Sequence, residues 1–198
     1  MAANGQPHLI RQLLSRRAYQ HRAEEVRLEE THISWVLLAG RYAYKLKKPV
    51  NLGFVDFSTH EKRVADCAEE VRLNKRLCPD VYLGVVNVTE RNGQLRMGGS
   101  GEAVEPAVRM RRLPDAGMLP NLLAAGGVGD RLMHRLANHL AKFHAATATG
   151  PGVDEYGSPA TIQANWQENF AQATPLVGRH PRGGHRPLDP HLCAGLPQ

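Results

Sequence analysis

The sequence predicts an α+β fold, with strands in its first half and helices in its second half. Two observations support this prediction. Short segments of strand-like composition alternate with turn residues up to about residue 114. Beyond that point, apolar residues recur at helical spacing. One long helix, predicted over residues 56–80, interrupts the strand region.

The strand region is preceded by an amphipathic helix, predicted over residues 7–20 from its apolar spacing. A short first strand is expected at Val26–Glu30. Apolar residues then become dense in "ISWVLLA", and Gly40 provides a turn before "RYAYKLKKPV". These features predict a hairpin.

The segment 56–80 is the clearest helix signal in the chain. Ser58 and Glu61 have capping-box spacing, which predicts the start of the helix. An apolar stripe follows, and Pro79 is expected to end the helix because proline cannot continue it.

A second hairpin is predicted over residues 81–97, since Asn92-Gly93 is a strong turn signal between strand-like runs. A short strand follows over residues 105–114, where apolar residues alternate with arginines. The glycine-rich "GGSGE" between them follows a hairpin rather than opening a helix, so a turn is expected there.

Three helices are predicted after the strands. The first is short and lies between glycines in "GMLPNLLAAGG". The second spans residues 129–148 with Asp130 as N-cap, and its apolar residues share one face. The third follows a Gly/Pro loop and has Pro159 in its first turn.

Composition indicates a soluble globular protein, with a formal net charge of +6 and a pI near 9.5. No apolar run approaches the roughly 20 residues of a membrane helix, and the N-terminus lacks the apolar core of a secretory signal. The cysteines, Cys67, Cys78 and Cys193, form no zinc or CxxC spacing. A reducing cytoplasm is therefore expected.

Three lysines in "YAYKLKKPV" raise the question of function. Strand alternation places Lys45 and Lys47 on one face and Lys48 on the other. Taken by themselves, such lysines are typical of a solvated strand. A lysine on a strand can also bind phosphate, and the surrounding motifs bear on this alternative.

The stretches "ETHISWVLLAG", "YKLKKPVNLGFVDFSTHEKR", "EEVRLNKRLCPDVYLGVV", "EPAVRMRRLP" and "LAKFHA" together resemble the kinase-like aminoglycoside phosphotransferase superfamily. The resemblance is strongest to its bacterial branch of uncharacterised "aminoglycoside phosphotransferase family" proteins. It covers about residues 20–175. It implies a kinase-like N-lobe with a small antiparallel sheet and one long helix, followed by the first helices of a helical C-lobe.

The resemblance implies an ATP-dependent phosphotransferase that uses Mg²⁺ and an unknown small-molecule acceptor. In such lobes a strand lysine binds phosphate and pairs with a glutamate on the next helix. Lys45 matches that lysine, and Lys47 could substitute for it. Glu70 is the favoured partner because it shares a helical face with Leu73, and Glu69 is the alternative.

The stretch "AVRMRRLP" resembles the strand between the lobes, where main-chain groups hold the adenine edge. The candidate residues there are Arg109, Met110 and Arg111, extending to Leu113. No glycine-rich loop lies between the first two strands, and no P-loop motif occurs in the sequence.

The catalytic loop that the resemblance implies is not found. No H-x-D with a following Asn occurs, and neither Asp154 nor Asp189 has suitable neighbours. We expect an N-lobe over residues 1–113, a partial helical lobe over 114–177 and a disordered tail over 178–198. The tail is rich in Gly, Pro, His and Arg, and one hypothesis is that it is translated out of frame; sequencing the locus tests this.

Two functions follow. The first is a phosphotransferase-like chain that is inactive or binds nucleotide only. The second is a basic, non-catalytic binding module for nucleotide or nucleic acid; nucleic acid is less favoured because no recognition motif accompanies the charge. An incomplete helical lobe would expose apolar surface, so self-association is also expected. The module's candidate residues are Arg41, Lys45, Lys47, Lys48, Arg72, Lys75, Arg76, Arg109, Arg111 and Arg112.

Overall fold

A computed structural model describes residues 7–176 of the chain. The chain forms two compact units that divide between Ala145 and Ala146. The lobe boundary predicted at residues 113/114 lies inside the first unit. The tail predicted over residues 178–198 lies outside the described residues.

Six strands form one sheet in which every neighbouring pair is antiparallel. The strands are β1 Val26–Glu30, β2 Ser34–Ala39, β3 Tyr42–Lys47, β4 Tyr82–Arg91, β5 Gln94–Met97 and β6 Glu102–Arg111. Their order across the sheet is β1-β2-β3-β6-β4-β5. The last strand in sequence is therefore central, and it joins the two predicted hairpins.

The helices are α1 His8–Leu13, α2 His60–Asn74, α3 Leu119–Ala124, α4 Asp130–Ala145, α5 Pro151–Asp154 and α6 Pro159–Ala173. Single 3₁₀ turns lie at Arg16–Ala18, Asp115–Gly117, Glu155–Gly157 and Thr174–Leu176. With one antiparallel sheet and these helices, the α+β class is confirmed. None of the helices among residues 7–176 combines the length and apolar character needed to cross a bilayer.

The first helix is shorter than predicted. Instead of extending over residues 7–20, it ends at Leu13, and a 3₁₀ turn follows. A tertiary contact accounts for the early end of the helix. The chain leaves the helical path, and Tyr19 forms an isolated β-bridge with Met97 on β5. The Tyr19 hydroxyl then donates to the Leu13 carbonyl at 2.8 Å, which closes this segment on itself.

The hydrophobic core lies between this N-terminal segment and one face of the sheet. Its members include Ile10, Leu13, Leu37, Tyr44, Leu46, Val88, Leu95, Met97 and Ala107, all buried. Gln12 covers part of the β5 edge, because its Oε1 accepts from the Leu95 N–H at 2.9 Å. Covering an edge strand in this way protects it from pairing with other chains.

Both hairpin turns occur where the sequence predicts them. Gly40 has φ +55°, and a Cβ there would lie 2.6 Å from the Arg22 carbonyl oxygen. Asn92 and Gly93 have φ values of 53° and 75°, as a type I′ turn requires. These turns set the registers of β2 with β3 and of β4 with β5.

The N-cap of α2 was predicted at the wrong residue. Thr59 caps the helix, since its hydroxyl accepts from the Lys62 N–H at 3.3 Å. The Ser58 hydroxyl instead donates to Asp56 Oδ1 at 2.6 Å. Asp56, two residues before Ser58, accepts from the Ser58 hydroxyl and N–H in a local turn, so this hydroxyl does not cap the helix. The helix also ends at Asn74, before Pro79.

The later helices agree with the predicted pattern with small differences at their ends. Helix α4 begins at Asp130 itself, which is therefore in the first turn rather than preceding it. Helix α6 has Ser158 as N-cap, accepting from the Thr161 N–H at 3.2 Å, and Pro159 at its first position. Helix α4 contacts the segment after α2, where His139 is 3.3 Å from the Leu77 carbonyl oxygen.

Candidate functional site

Four charged side chains form a cluster between strand β3 and helix α2. The strand contributes Lys45 and Lys47, which share a face because successive strand side chains alternate. The helix contributes Asp66 and Glu70, which share a face because they are four residues apart. We call these four residues the lysine–carboxylate cluster.

Lys45 pairs with Glu70 rather than with Glu69. Its Nζ lies 2.9 Å from Glu70 Oε1 and 3.2 Å from Oε2. Glu69 lies on the exposed side of α2, where it accepts from Arg72 at 2.5 and 2.7 Å. Of the two glutamates left open by the sequence, the structure brings Glu70 to the lysine.

Lys47 is held more tightly than Lys45. Its Nζ donates to Glu70, lies 2.6 Å from Asp66 Oδ2 and sits 5.0 Å from the centre of the Phe57 ring. Only 5% of its side chain is exposed, against 26% for Lys45. Lys45 is therefore the more exposed of the two lysine side chains.

The electrostatics of the cluster favour charged side chains despite burial. Burial by itself would raise the pKa of Glu70, but hydrogen bonds from Lys47 and Lys45 lower that pKa below its ordinary value. Burial would likewise lower the pKa of Lys47, but its interactions with Asp66 and Glu70 raise that pKa overall. Both groups are thus ionised at neutral pH.

Lys48 faces away from the cluster, as alternation predicts. Its Nζ lies 2.5 Å from Glu30 Oε1 on strand β1 and 5.5 Å from the Trp35 ring centre. An ion pair therefore holds this lysine on the face opposite the cluster. It provides a matched control for variants of Lys45 and Lys47.

The candidate hinge residues lie at the end of β6. Arg109 and Met110 pair with β3 and β4, so their main-chain groups belong to the sheet. The Arg111 N–H donates to the Val81 carbonyl at 2.8 Å, and the Arg112 N–H donates to the Arg41 carbonyl at 3.0 Å. Among the predicted positions, Leu113 lies beyond the strand and is half exposed.

Sequence reasoning did not single out Asp66 or the pair of Arg63 and Glu105. Asp66 could have been found, because it lies one helical turn before Glu70 and faces the same strand. Arg63 donates to Glu105 on β6 through Nε at 2.6 Å and Nη2 at 2.7 Å. That pair depends on β6 lying at the centre of the sheet, which the sequence does not reveal.

A protein that binds Mg²⁺ brings carboxylate or other oxygen ligands close together. Within residues 7–176, no three His, Cys, Asp or Glu side chains are placed to share a metal ion. Asp154 Oδ1 accepts from the Gly150 N–H at 3.1 Å and so stabilises a local turn. Asp189 lies outside the described residues.

Many of the basic residues considered for nucleic-acid binding have partners in the described part of the chain. Lys45, Lys47, Lys48 and Arg72 form ion pairs. Arg41 and Arg109 lie over the Tyr42 ring, and Arg76 lies over the Phe143 ring. Much of this charge is therefore neutralised or stacked on aromatic rings.

The fold and the cluster define an α+β protein with an antiparallel six-stranded sheet and a strand lysine anchored by a helix glutamate. Three mycobacterial relatives match the chain, each described as an uncharacterised protein. They include Uncharacterized protein Mb2027c from Mycobacterium bovis and Uncharacterized protein Rv2004c from Mycobacterium tuberculosis. Each is 36% identical over 145 residues, covering 73% of this chain and 28% of the relative.

The chain thus spans just over a quarter of the length of the curated relatives that it matches. No protein-family model matches the chain. No solved structure matches it either.

Proposed function

We propose that residues 26–113 form the nucleotide-binding lobe of a kinase-like phosphotransferase. In this proposal Lys45 contacts the phosphate oxygens of ATP bound with Mg²⁺, and Glu70 holds the lysine in place. The single observation that carries the proposal is the pair of Lys45 and Glu70 across β3 and α2, with an Nζ–Oε1 distance of 2.9 Å.

Phosphoryl transfer depends on positioning and on neutralising phosphate charge. In kinase-like lobes, the phosphate lysine lies on the third strand and pairs with a glutamate of the following helix. Here the lysine is also on the third strand, and α2 is the next helix. A quarter of the Lys45 side chain is exposed, so a ligand oxygen can approach its ammonium group.

For the chain as printed, we propose nucleotide binding with negligible transfer. The sequence contains no H-x-D motif with a following Asn, and that motif would supply the base and a metal ligand. Turnover of the longer relatives and the identity of the small-molecule acceptor are separate questions. A reducing, cytoplasmic setting is part of the same proposal.

Titration of the full chain with a fluorescent ATP analogue, with and without Mg²⁺, tests the proposal. We expect saturable binding that Lys45→Ala weakens at least about tenfold, because a charge-assisted contact to phosphate is lost. Lys48→Ala is the control and should bind like the unmodified chain, since Lys48 pairs with Glu30 on the other face.

Equal affinity of Lys45→Ala and the unmodified chain would overturn the proposal. A single-stranded oligonucleotide titrated over a range of salt concentrations tests the basic-module alternative. That alternative predicts affinity that falls steeply with salt and does not require Mg²⁺.

A further inference from the structure

We propose that Lys47 is a permanent internal counter-ion that holds Glu70 ionised and in position, which leaves Lys45 alone free to engage an anionic ligand. This inference rests on the proposed nucleotide site and assigns different tasks to two lysines that the sequence does not distinguish. Lys47 is a positioning residue in this arrangement, because it acts through Glu70.

Lys47 makes more contacts than Lys45. Lys45 has one carboxylate partner, Glu70. Lys47 contacts Glu70 and Asp66, and its ammonium group also lies over the Phe57 ring. A lysine with three partners gives up more on turning toward a ligand than a lysine with one.

Lys47 is also the more buried of the two lysines. The Lys47 side chain is 5% exposed, and Phe57, which contacts it, is itself buried. A phosphate cannot reach this ammonium group without displacing the surrounding side chains. The Lys45 side chain, which pairs with the same carboxylate, is 26% exposed to solvent.

The two lysines also balance the charges of the two carboxylates in the cluster. Without a ligand, Lys45 and Lys47 balance Asp66 and Glu70. When Lys45 shares its charge with a phosphate, its attraction to Glu70 weakens, and a buried carboxylate that lacks a full counter-charge is strongly unfavourable unless a second cation remains. Lys47 remains in place and removes that penalty, so Lys45 can be shared with a ligand at low cost.

Acylation of individual lysines in the ligand-free chain tests the assignment without any nucleotide. The chain is treated with a small amine-acylating reagent, and the rate at each lysine is followed by peptide mass spectrometry. We expect Lys45 to react at a rate closer to that of exposed Lys75 and Lys47 to react at least about tenfold more slowly, since burial and ion pairing protect its amine. Comparable rates at Lys45 and Lys47 would overturn the inference.

An acyl phosphate derivative of ATP then tests which lysine faces the phosphates. We expect its adduct on Lys45, and we expect excess Mg-ATP to suppress it. An adduct on Lys47 would overturn the inference but leave nucleotide binding standing. An adduct on neither lysine would overturn the proposed function, while the acylation rates still test the role of Lys47.

A pH profile separates positioning from simple packing. The charged or titratable groups that face Glu70 are Lys45 and Lys47 from β3, Tyr82 from β4, and Asp66 and Cys67 from α2 itself. Removing Lys47 takes away a group that favours the charged form, so the pKa of Glu70 should rise. In Lys47→Met, the Glu70 side-chain carboxyl carbon, followed by NMR, should therefore titrate at a higher pH than in the unmodified chain.

The control for this profile is Lys48→Ala, which should leave its midpoint unchanged. A Lys47→Met variant that folds and in which the Glu70 carboxyl titrates with the unmodified midpoint would show that Lys47 only fills space. If Lys47→Met does not fold, the acylation rates in the unmodified chain still decide between the two lysines.

Discussion

Arg63 and Glu105 form a two-pronged ion pair that joins helix α2 to the central strand β6. The guanidinium Nε and Nη2 donate to the two carboxylate oxygens at 2.6 and 2.7 Å, and Nη1 donates to the Phe57 carbonyl at 3.0 Å. Both side chains are largely buried. The pair sets the position of the helix that carries Glu70.

Removing either partner of this pair should destabilise the protein. Arg63→Ala leaves Glu105 partly buried without a cation, so we expect a loss of roughly 3 kcal/mol in the free energy of unfolding. Urea denaturation measures this loss. Arg72→Ala is the matched control, since that arginine pairs with Glu69 on the exposed side of the same helix and should matter little. Equal effects of the two variants would contradict the prediction.

The N-cap of helix α2 gives a prediction that distinguishes Thr59 from its neighbour Ser58. Thr59→Ala should cost about 1 kcal/mol, because the Lys62 N–H loses its acceptor. Ser58→Ala should cost less, since the Ser58 hydroxyl bonds the half-buried Asp56 rather than the helix. Thermal or urea unfolding of both variants decides the order. A larger loss for Ser58→Ala would restore the cap predicted from the sequence.

Stability should depend on pH through Glu70. Its pKa in the folded protein is lowered, so the stabilisation is fully present above its pKa in the unfolded chain. That stabilisation is lost as the pH falls through the folded-state pKa. Glu70→Gln should therefore be clearly less stable than the unmodified chain at pH 7, and the difference should shrink toward pH 3.

Glu69→Gln is the control for this measurement, because Glu69 pairs with Arg72 on the exposed face. It should show a weaker dependence on pH. The groups facing Glu70 that could complicate the profile are Lys45, Lys47, Tyr82, Asp66 and Cys67. A stability difference for Glu70→Gln that stays constant from pH 7 to pH 3 would contradict the prediction.

The two cysteines in the described residues should differ in reactivity. Cys67 is fully buried, and burial raises the pKa of its thiol to about 11, whereas Cys78 is exposed. At pH 8 the Cys67 thiol is therefore almost entirely protonated, and the thiolate is the reactive form. In a Cys193→Ser background, a thiol-specific chromogenic reagent should modify Cys78 quickly and Cys67 only on unfolding. Two fast equivalents in the folded chain would contradict this.

Self-association is expected from the apolar face of helix α4. Met133, Leu136 and Leu140 lie there at helical spacing and are exposed in the described structure. Size-exclusion chromatography should show an apparent mass above that of a monomer, and Leu136→Glu should reduce it. Asn138→Glu, on the other side of the helix, is the control. A monomer at high concentration without any substitution would contradict the expectation.

The sequence determined those features that depend on neighbouring residues. The two hairpin turns need residues with positive φ, and Gly40 and the Asn92-Gly93 pair adopt such angles readily. The turns then fix the hairpin registers. Strand alternation likewise placed Lys45 and Lys47 on one face. Local steric constraints decide such features, so they can be derived from short stretches.

Tertiary structure decided the features that join distant segments. The pairing of β6 with both β3 and β4 brings Glu105 to Arg63 and fixes how α2 lies across the sheet. That packing brings Glu70, the partner that the sequence favoured, to Lys45, and it buries Lys47 while leaving Lys45 more exposed. Burial and ion pairing depend on which segments meet in space, and the spacing of residues along the chain does not specify that.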